Sequence, residues 1–283
     1  MNDFLTDIQT LRERARKQIE EGPITSSYAA DRERVVEVLN EALATEIVCY
    51  LRYKRHYFTS SGIHSQTVAN EFLQHANEEL GHADQIALRI TQLQGSPNFN
   101  PKGLTSRSHA EYDASESIHD MLTEDLIAER IAIESYNEMI RWLGDDDVTT
   151  RRMLEDILAV EEEHADDLLN LPGSRLTAAL ATALGGDPRT SWTIWRRDAV
   201  GHPSPNAGPV EAAFAGSLGV RLGGRNVYGD RVEDRIALGS GREAAASDIA
   251  RARRLARRVD AAALLVVLAG ISLRAGARAS APR

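Results

Sequence analysis

Four glutamates, Glu46, Glu79, Glu129 and Glu161, each interrupt an otherwise apolar stripe, and two of them are followed three residues later by a histidine, His82 and His164. Positions i and i+3 share one helix face, so each Glu-x-x-His pair presents a carboxylate and an imidazole side by side. The arrangement occurs twice. Tyr53 stands seven residues past Glu46 and Tyr136 seven past Glu129, while Glu46 precedes Glu79 by 33 residues and Glu129 precedes Glu161 by 32. Four ionised carboxylates sharing a core would be costly singly and would repel one another. Two divalent cations balance the four charges, and two imidazoles complete the shell. An oxygen-rich set with some nitrogen suits iron or manganese better than a thiolate-preferring metal. The bland alternative is a metal-free carboxylate cluster that shares protons. A lone Glu-x-x-His carries little weight: Glu116 and His119 repeat the spacing at a position expected to be solvated, and Glu71 and His75 are read as one surface and one rim residue. The argument rests on four segments agreeing in phase.

Those segments must be long helices. Residues 31–62 place Leu39, Leu43, Glu46, Tyr50, Tyr53 and Tyr57 on one face, with Asp31 as N-cap. Residues 65–95 align Val68, Phe72, His75, Glu79, His82, Ile86, Ile90 and Leu93, and end at Gly95 ahead of Pro97. A third helix is expected from Asp113 or Ser115, where Asp113-x-x-Glu116 reads as a capping box, with Ile118, Leu122, Asp125, Glu129, Ala132, Tyr136 and Ile140 inward. A fourth follows Gly144 and Asp145–Asp147, with Leu154, Ile157, Glu161, His164 and Leu168 inward. Short turns join the first pair and the last pair. Residues 95–113 between them hold Gly95, Pro97, Pro101 and Gly103 and no periodic pattern, long enough to cross a bundle lengthwise. Before all of these, residues 4–19 place Phe4, Ile8, Leu11, Ala15 and Ile19 at helical spacing, up to Gly22-Pro23. This short helix is expected to dock on something larger.

The stretches LNEALATEIVCYLRYKRHY, QHANEELGHADQIALRI, MLTEDLIAERIAIESYNEMI and LEDILAVEEEHADDL resemble the ferritin-like superfamily, above all bacterioferritins and ferritin-like di-iron proteins, over residues 1–170. The resemblance implies an all-α, ferritin-like four-helix bundle with one long crossover between its second and third helices. It implies a di-iron centre in which Glu46 and His82 hold one iron, Glu129 and His164 the other, and Glu79 and Glu161 bridge. The implied activity is that of a ferroxidase in iron storage and homeostasis, oxidising Fe2+ to Fe3+ with O2 or H2O2, in a homo-oligomer. Tyr53 resembles a tyrosine beside such centres that hydrogen-bonds a ligand or supplies an electron, and Tyr136 has the same geometry. Haem is not expected, because Leu80 stands where bacterioferritins carry a ligating methionine. The alternatives are a di-manganese catalase-like enzyme, a di-iron peroxidase, or a bundle that binds metal without turnover. Asp125, one turn before Glu129, is expected either to orient a ligand histidine or to cap a backbone group.

Composition sets the outer bounds. The chain has 283 residues with a single cysteine, which excludes an intrachain disulfide and an iron–sulfur site held by four thiolates of one chain. Cys49 reads as a small buried hydrophobe, and Trp142 as packing. The first ten residues carry two Asp and no base, unlike a secretory signal, and the longest apolar run, Ala261–Leu273, has 13 residues against the roughly 20 that span a bilayer. A cytoplasmic protein is expected, with no membrane span and no nucleic-acid partner. Residues 1–170 hold 33 acids and 16 bases, whereas residues 171–283 hold 9 and 17. So abrupt a reversal marks a boundary between a bundle over 1–170 and an Ala/Arg/Gly-rich tail over 171–283. That tail is expected to be poorly ordered and largely irregular, with one helix over 247–273, and its bias would suit translation past the natural end of the bundle.

Overall fold

The computed structural model describes residues 6–17, 19, 24–25, 27–60, 65–228 and 231–279. They fall into two compact units, Met1–Leu168 and Leu169–Arg283.

The first unit is built on α2 (Arg32–Thr59), α3 (Ser65–Gln92), α5 (Ile118–Leu143) and the first part of α6 (Val148–Leu184), with a one-turn helix, α4 (Leu104–Arg107), between α3 and α5. Asp31 caps α2 as expected, its side chain accepting from Arg34 N at 3.2 Å. The capping residue of α5 is Ser117, which accepts from Asp120 N. Asp113 instead accepts from Ser115 N within the preceding turn, so the helix starts a few residues later than its spacing predicts. One core joins all four helices: Leu39 and Leu43 from α2, Ile86 and Ile90 from α3, Tyr136 and Leu143 from α5, Leu154 and Ile157 from α6.

Polar contacts trace the connection between α3 and α5 along α2. Asn40, near the start of α2, donates to Ser96 O at 3.3 Å and accepts from Asn98 N at 2.7 Å. Near the other end of α2, Arg52 donates to Glu111 O at 3.0 Å and Arg55 to Ser115 O at 2.7 Å. Between residues 98 and 111 the chain therefore travels from Asn40 to Arg52, about 18 Å along a helix rising 1.5 Å per residue. This is the lengthwise crossover that the unpatterned stretch implied.

The expected N-terminal helix is present as α1 (Ile8–Lys17), but none of its residues is buried, and Ile8 and Leu11 of its apolar stripe are exposed. Phe4, Gly22 and Pro23 lie outside those residues.

The second unit corrects the expectation of an irregular tail. It contains α7 (Pro188–Asp198), α8 (Ala207–Leu218), α9 (Asp248–Ala279) and a three-stranded sheet of β1 (Val220–Tyr228), β2 (Arg231–Leu238) and β3 (Arg242–Glu243) in the order β2-β1-β3. β1 pairs antiparallel with β2 and parallel with β3. Two prolines of this unit lie in the first turn of a helix. Pro188 follows the N-cap Asp187, and Pro209 is third in α8, positions where a missing N–H costs nothing. Small residues permit close packing: a Cβ on Gly216 would lie 2.5 Å from Ser191 Cα. A core of Ala181, Ile194, Trp195, Ala213, Val220, Leu238, Leu255 and Val259 results. The helix expected over 247–273 is α9, whose Leu264–Leu268 run stays exposed. Among the described residues, no helix is long and apolar enough to cross a membrane.

Candidate metal centre

Helical phase brings the six residues together midway along the first unit. Glu46 comes from α2, Glu79 and His82 from α3, Glu129 from α5, Glu161 and His164 from α6, and all six are buried. His82 Nδ1 lies 3.2 Å from Glu46 Oε2, 2.9 Å from Glu161 Oε1 and 4.0 Å from Glu79 Oε2. His164 Nδ1 lies 3.8 Å from Glu79 Oε1, 3.8 Å from Glu129 Oε2 and 3.9 Å from Glu161 Oε2. Two sets of donor atoms result, Glu46–Glu79–His82–Glu161 and Glu79–Glu129–Glu161–His164, each with its atoms within 4.8 Å of one another. An ion with bonds of about 2.1 Å holds its ligands roughly 3–4 Å apart, so either set can close around one with small rotations. Glu79 and Glu161 belong to both sets.

Two tyrosines brace the carboxylates from opposite halves. Tyr53 of α2 donates to Glu129 of α5, and Tyr136 of α5 donates to Glu46 of α2. Burial, and then the facing carboxylate, pushes both phenols well above their ordinary range, so they remain donors.

The charges are arranged for exchange with a cation. Burial, Glu161 and Glu46 push the Glu79 carboxyl well up; burial, Glu46 and Glu129 do the same to Glu161. Burial alone would raise Glu129, but the charge of the nearby His164 holds it down. Burial would lower His164, but Glu129 and Glu78 raise it to about 10. Its Nε2 is bonded to Glu78 Oε2 at 2.8 Å. Glu79 Oε1, Glu129 Oε2 and His164 Nδ1 are buried without a hydrogen-bond partner. Buried polar atoms are almost always satisfied. Orphans converging between two imidazoles and four carboxylates fit a pair of divalent ions.

Several residues fall elsewhere than expected. Asp125 neither orients a ligand histidine nor caps a backbone group: it accepts from Arg52 Nε at 2.8 Å and lies 2.9 Å from His56 Nδ1, with all three residues buried. Arg52 and His56 had no apolar signature to mark them, although both sit at helical spacing from Cys49. Glu71 and His75, read as surface and rim, are also both buried. Trp142 is 49% exposed rather than packed. Cys49 is buried against Ala110 and Ala128, and Glu116 and His119 are exposed, as expected.

Comparison with known proteins separates the two units. Residues 36–172 match a family model described as Ferritin-like domain, and residues 164–256 match one described as CobD/Cbib protein. A "dodecameric thioferritin" from Bacteroides fragilis is 34% identical, covering 50% of this chain and 85% of that one with a TM-score of 0.48. A ferritin-like, diiron-carboxylate protein from Bacillus anthracis is 28% identical, covering 50% and 96% with a TM-score of 0.45. The cobalamin biosynthesis protein CobD of Mycobacterium tuberculosis is 51% identical over 108 residues, 36% of this chain and 34% of that protein. The chain thus spans about a third of the length of the curated relatives it matches.

Proposed function

Residues 36–172 belong to the ferritin-like domain family, and from that membership we propose that this part of the chain is a ferroxidase that binds two Fe2+ ions and oxidises them. The observation that supports the reading is the pair of donor sets sharing Glu79 and Glu161, an arrangement that would suit two cations side by side. Each Fe2+ gives up one electron to a common oxidant, dioxygen taking two protons to leave as hydrogen peroxide, or hydrogen peroxide taking two protons to leave as two waters. The chain's own part is positional. Glu46 and His82 hold one ion, Glu129 and His164 the other, and Glu79 and Glu161 bridge. Tyr53 and Tyr136 hold the two end carboxylates in register through their hydroxyls. The acidic excess of residues 1–170 raises the local concentration of cations. Iron storage would further require a hollow homo-oligomer. Light scattering on a sizing column tests for such an oligomer.

The test adds two Fe2+ per metal-free chain without oxygen, then admits air and follows the ferric absorbance, with Glu79→Ala as control. Rapid oxidation by the wild type and not by the variant is expected. Binding without oxidation would shift the assignment to a manganese enzyme or a metal buffer, for which the same oxygen-rich ligands serve. No binding would remove the metal centre altogether.

The second unit carries a separate proposal. It resembles a part of cobalamin-biosynthesis CobD proteins, and we propose that its work needs the remainder of such a protein. Expressed alone in a strain lacking its CobD, residues 169–283 are expected not to restore cobalamin synthesis; restoration would overturn this.

A further inference from the structure

His75 is buried one turn before Glu79 on α3, yet belongs to neither donor set of the paired centre. Its ring stacks on that of His164 at 4.0 Å with 17° between the planes, and its edge meets Tyr53. Nδ1 lies 3.3 Å from the Tyr53 hydroxyl. With the ring held on two sides, Nε2 is directed towards Glu71, whose Oε1 lies 3.2 Å away. A carboxylate oxygen of Asp167, on α6, completes a group whose three donor atoms lie within 4.8 Å of one another. Although His75 Nε2 and Glu71 Oε1 are so close, neither makes a hydrogen bond, and both are buried.

We propose that Glu71, His75 and Asp167 form a third, separate divalent-cation site. Three features favour a cation over an ordinary ion pair. Glu71 Oε1 and His75 Nε2 are both buried without a hydrogen-bond partner, and an Asp167 carboxylate oxygen lies within 4.8 Å of them. A nitrogen donor with two oxygen donors suits first-row divalent metals. The unbonded approach of Nε2 and Oε1 is what two ligands of one ion display, since each lone pair is directed at the metal rather than at the other atom. Asp167 is only half-buried while Glu71 and His75 are inside, so the site lies where solvent meets core. An ion there would sit one imidazole stack from His164, placed to wait beside the paired centre. The site shares no ligand with that centre, and its occupancy does not depend on whether the centre oxidises iron.

The experiment titrates the metal-free, full-length chain with Co2+ under anaerobic conditions by calorimetry and visible absorbance, with enough salt to suppress surface binding. The wild type is expected to bind three ions per chain. Glu71→Gln with Asp167→Asn is expected to bind two, its third equivalent weakened by about 100-fold. Glu46→Gln with Glu129→Gln is expected to weaken the other two and spare the third. A wild type binding two ions, both lost in the Glu46 and Glu129 variant, would overturn the third site and leave the paired centre standing. One ion lost only in the Glu71 and Asp167 variant would do the reverse. Anomalous scattering from Co2+-soaked wild-type crystals needs no variant: a peak bonded to His75 Nε2 is expected, and its absence at saturating Co2+ would overturn the site.

Discussion

Tyr53 and Tyr136 occupy the same position seven residues past a carboxylate, but each serves the carboxylate of the other half. Tyr53 also lies 3.3 Å from His75 Nδ1, which ties it to a second buried group beside the centre. Tyr53→Phe is therefore expected to keep the wild-type number of bound Fe2+ ions while slowing oxidation by about 10-fold, the lower range for lost outer partners of a metal ligand. Stopped-flow ferric absorbance beside a binding titration checks this, and an unchanged rate would reduce Tyr53 to packing. The buried Asp125 sits between Arg52 and His56. Removing it strands a guanidinium in the core, so Asp125→Ala is expected to cost about 4 kcal/mol in urea unfolding, within the range for breaking a buried pair from one side. A loss below about 1 kcal/mol would mean that water reaches Arg52.

Between elements, Asp147 acts as a tie. It caps α6 by accepting from Thr150 N at 2.9 Å, holds Arg89 of α3 at 2.9 Å, and accepts from Tyr28, ahead of α2, at 2.9 Å. Burial would raise its carboxyl, but the Thr150 hydrogen bonds and the Arg89 charge outweigh burial and hold it below the ordinary range. A lowered folded-state value means that the stabilisation is complete above the unfolded carboxylate value, near 4, and fades as pH falls through the folded one. Asp147→Asn is expected to cost about 2 kcal/mol at neutral pH. The difference from wild type should hold steady above about pH 5 and shrink below about pH 4. Urea melts across that range test it; a gap that widened in acid would contradict the sign.

For the whole molecule, the core of the first unit, the paired centre and the third site all draw on residues no later than Leu168. Ending the chain after Leu171 is expected to leave a folded bundle with the wild-type number of Co2+ ions, measured by circular dichroism and titration. Failure of this shorter chain to fold would show that the bundle depends on the second unit. The two matched families meet within α6, where the matched ranges overlap at residues 164–172.

Helical phase is a local property, and so the four long helices, the six buried ligand candidates, the Asp31 cap and the crossover were all legible in residue spacing. Each arises from neighbours within a turn or two, or from a stretch that lacks any pattern. Tertiary structure decided what local spacing does not encode. Arg52, His56 and Glu71 are charged or polar types that ordinarily face water, and their burial depends on partners brought from elsewhere in the chain. Asp125 meets Arg52 across 73 residues. The same limit hid the second unit, because Pro188, Pro209 and Gly216 read as helix breakers in isolation and are accommodated by a first turn or a close neighbour. Periodicity reports which face turns inward; only packing decides which charges that face can carry, since a buried charge is tolerated only where another element supplies its partner.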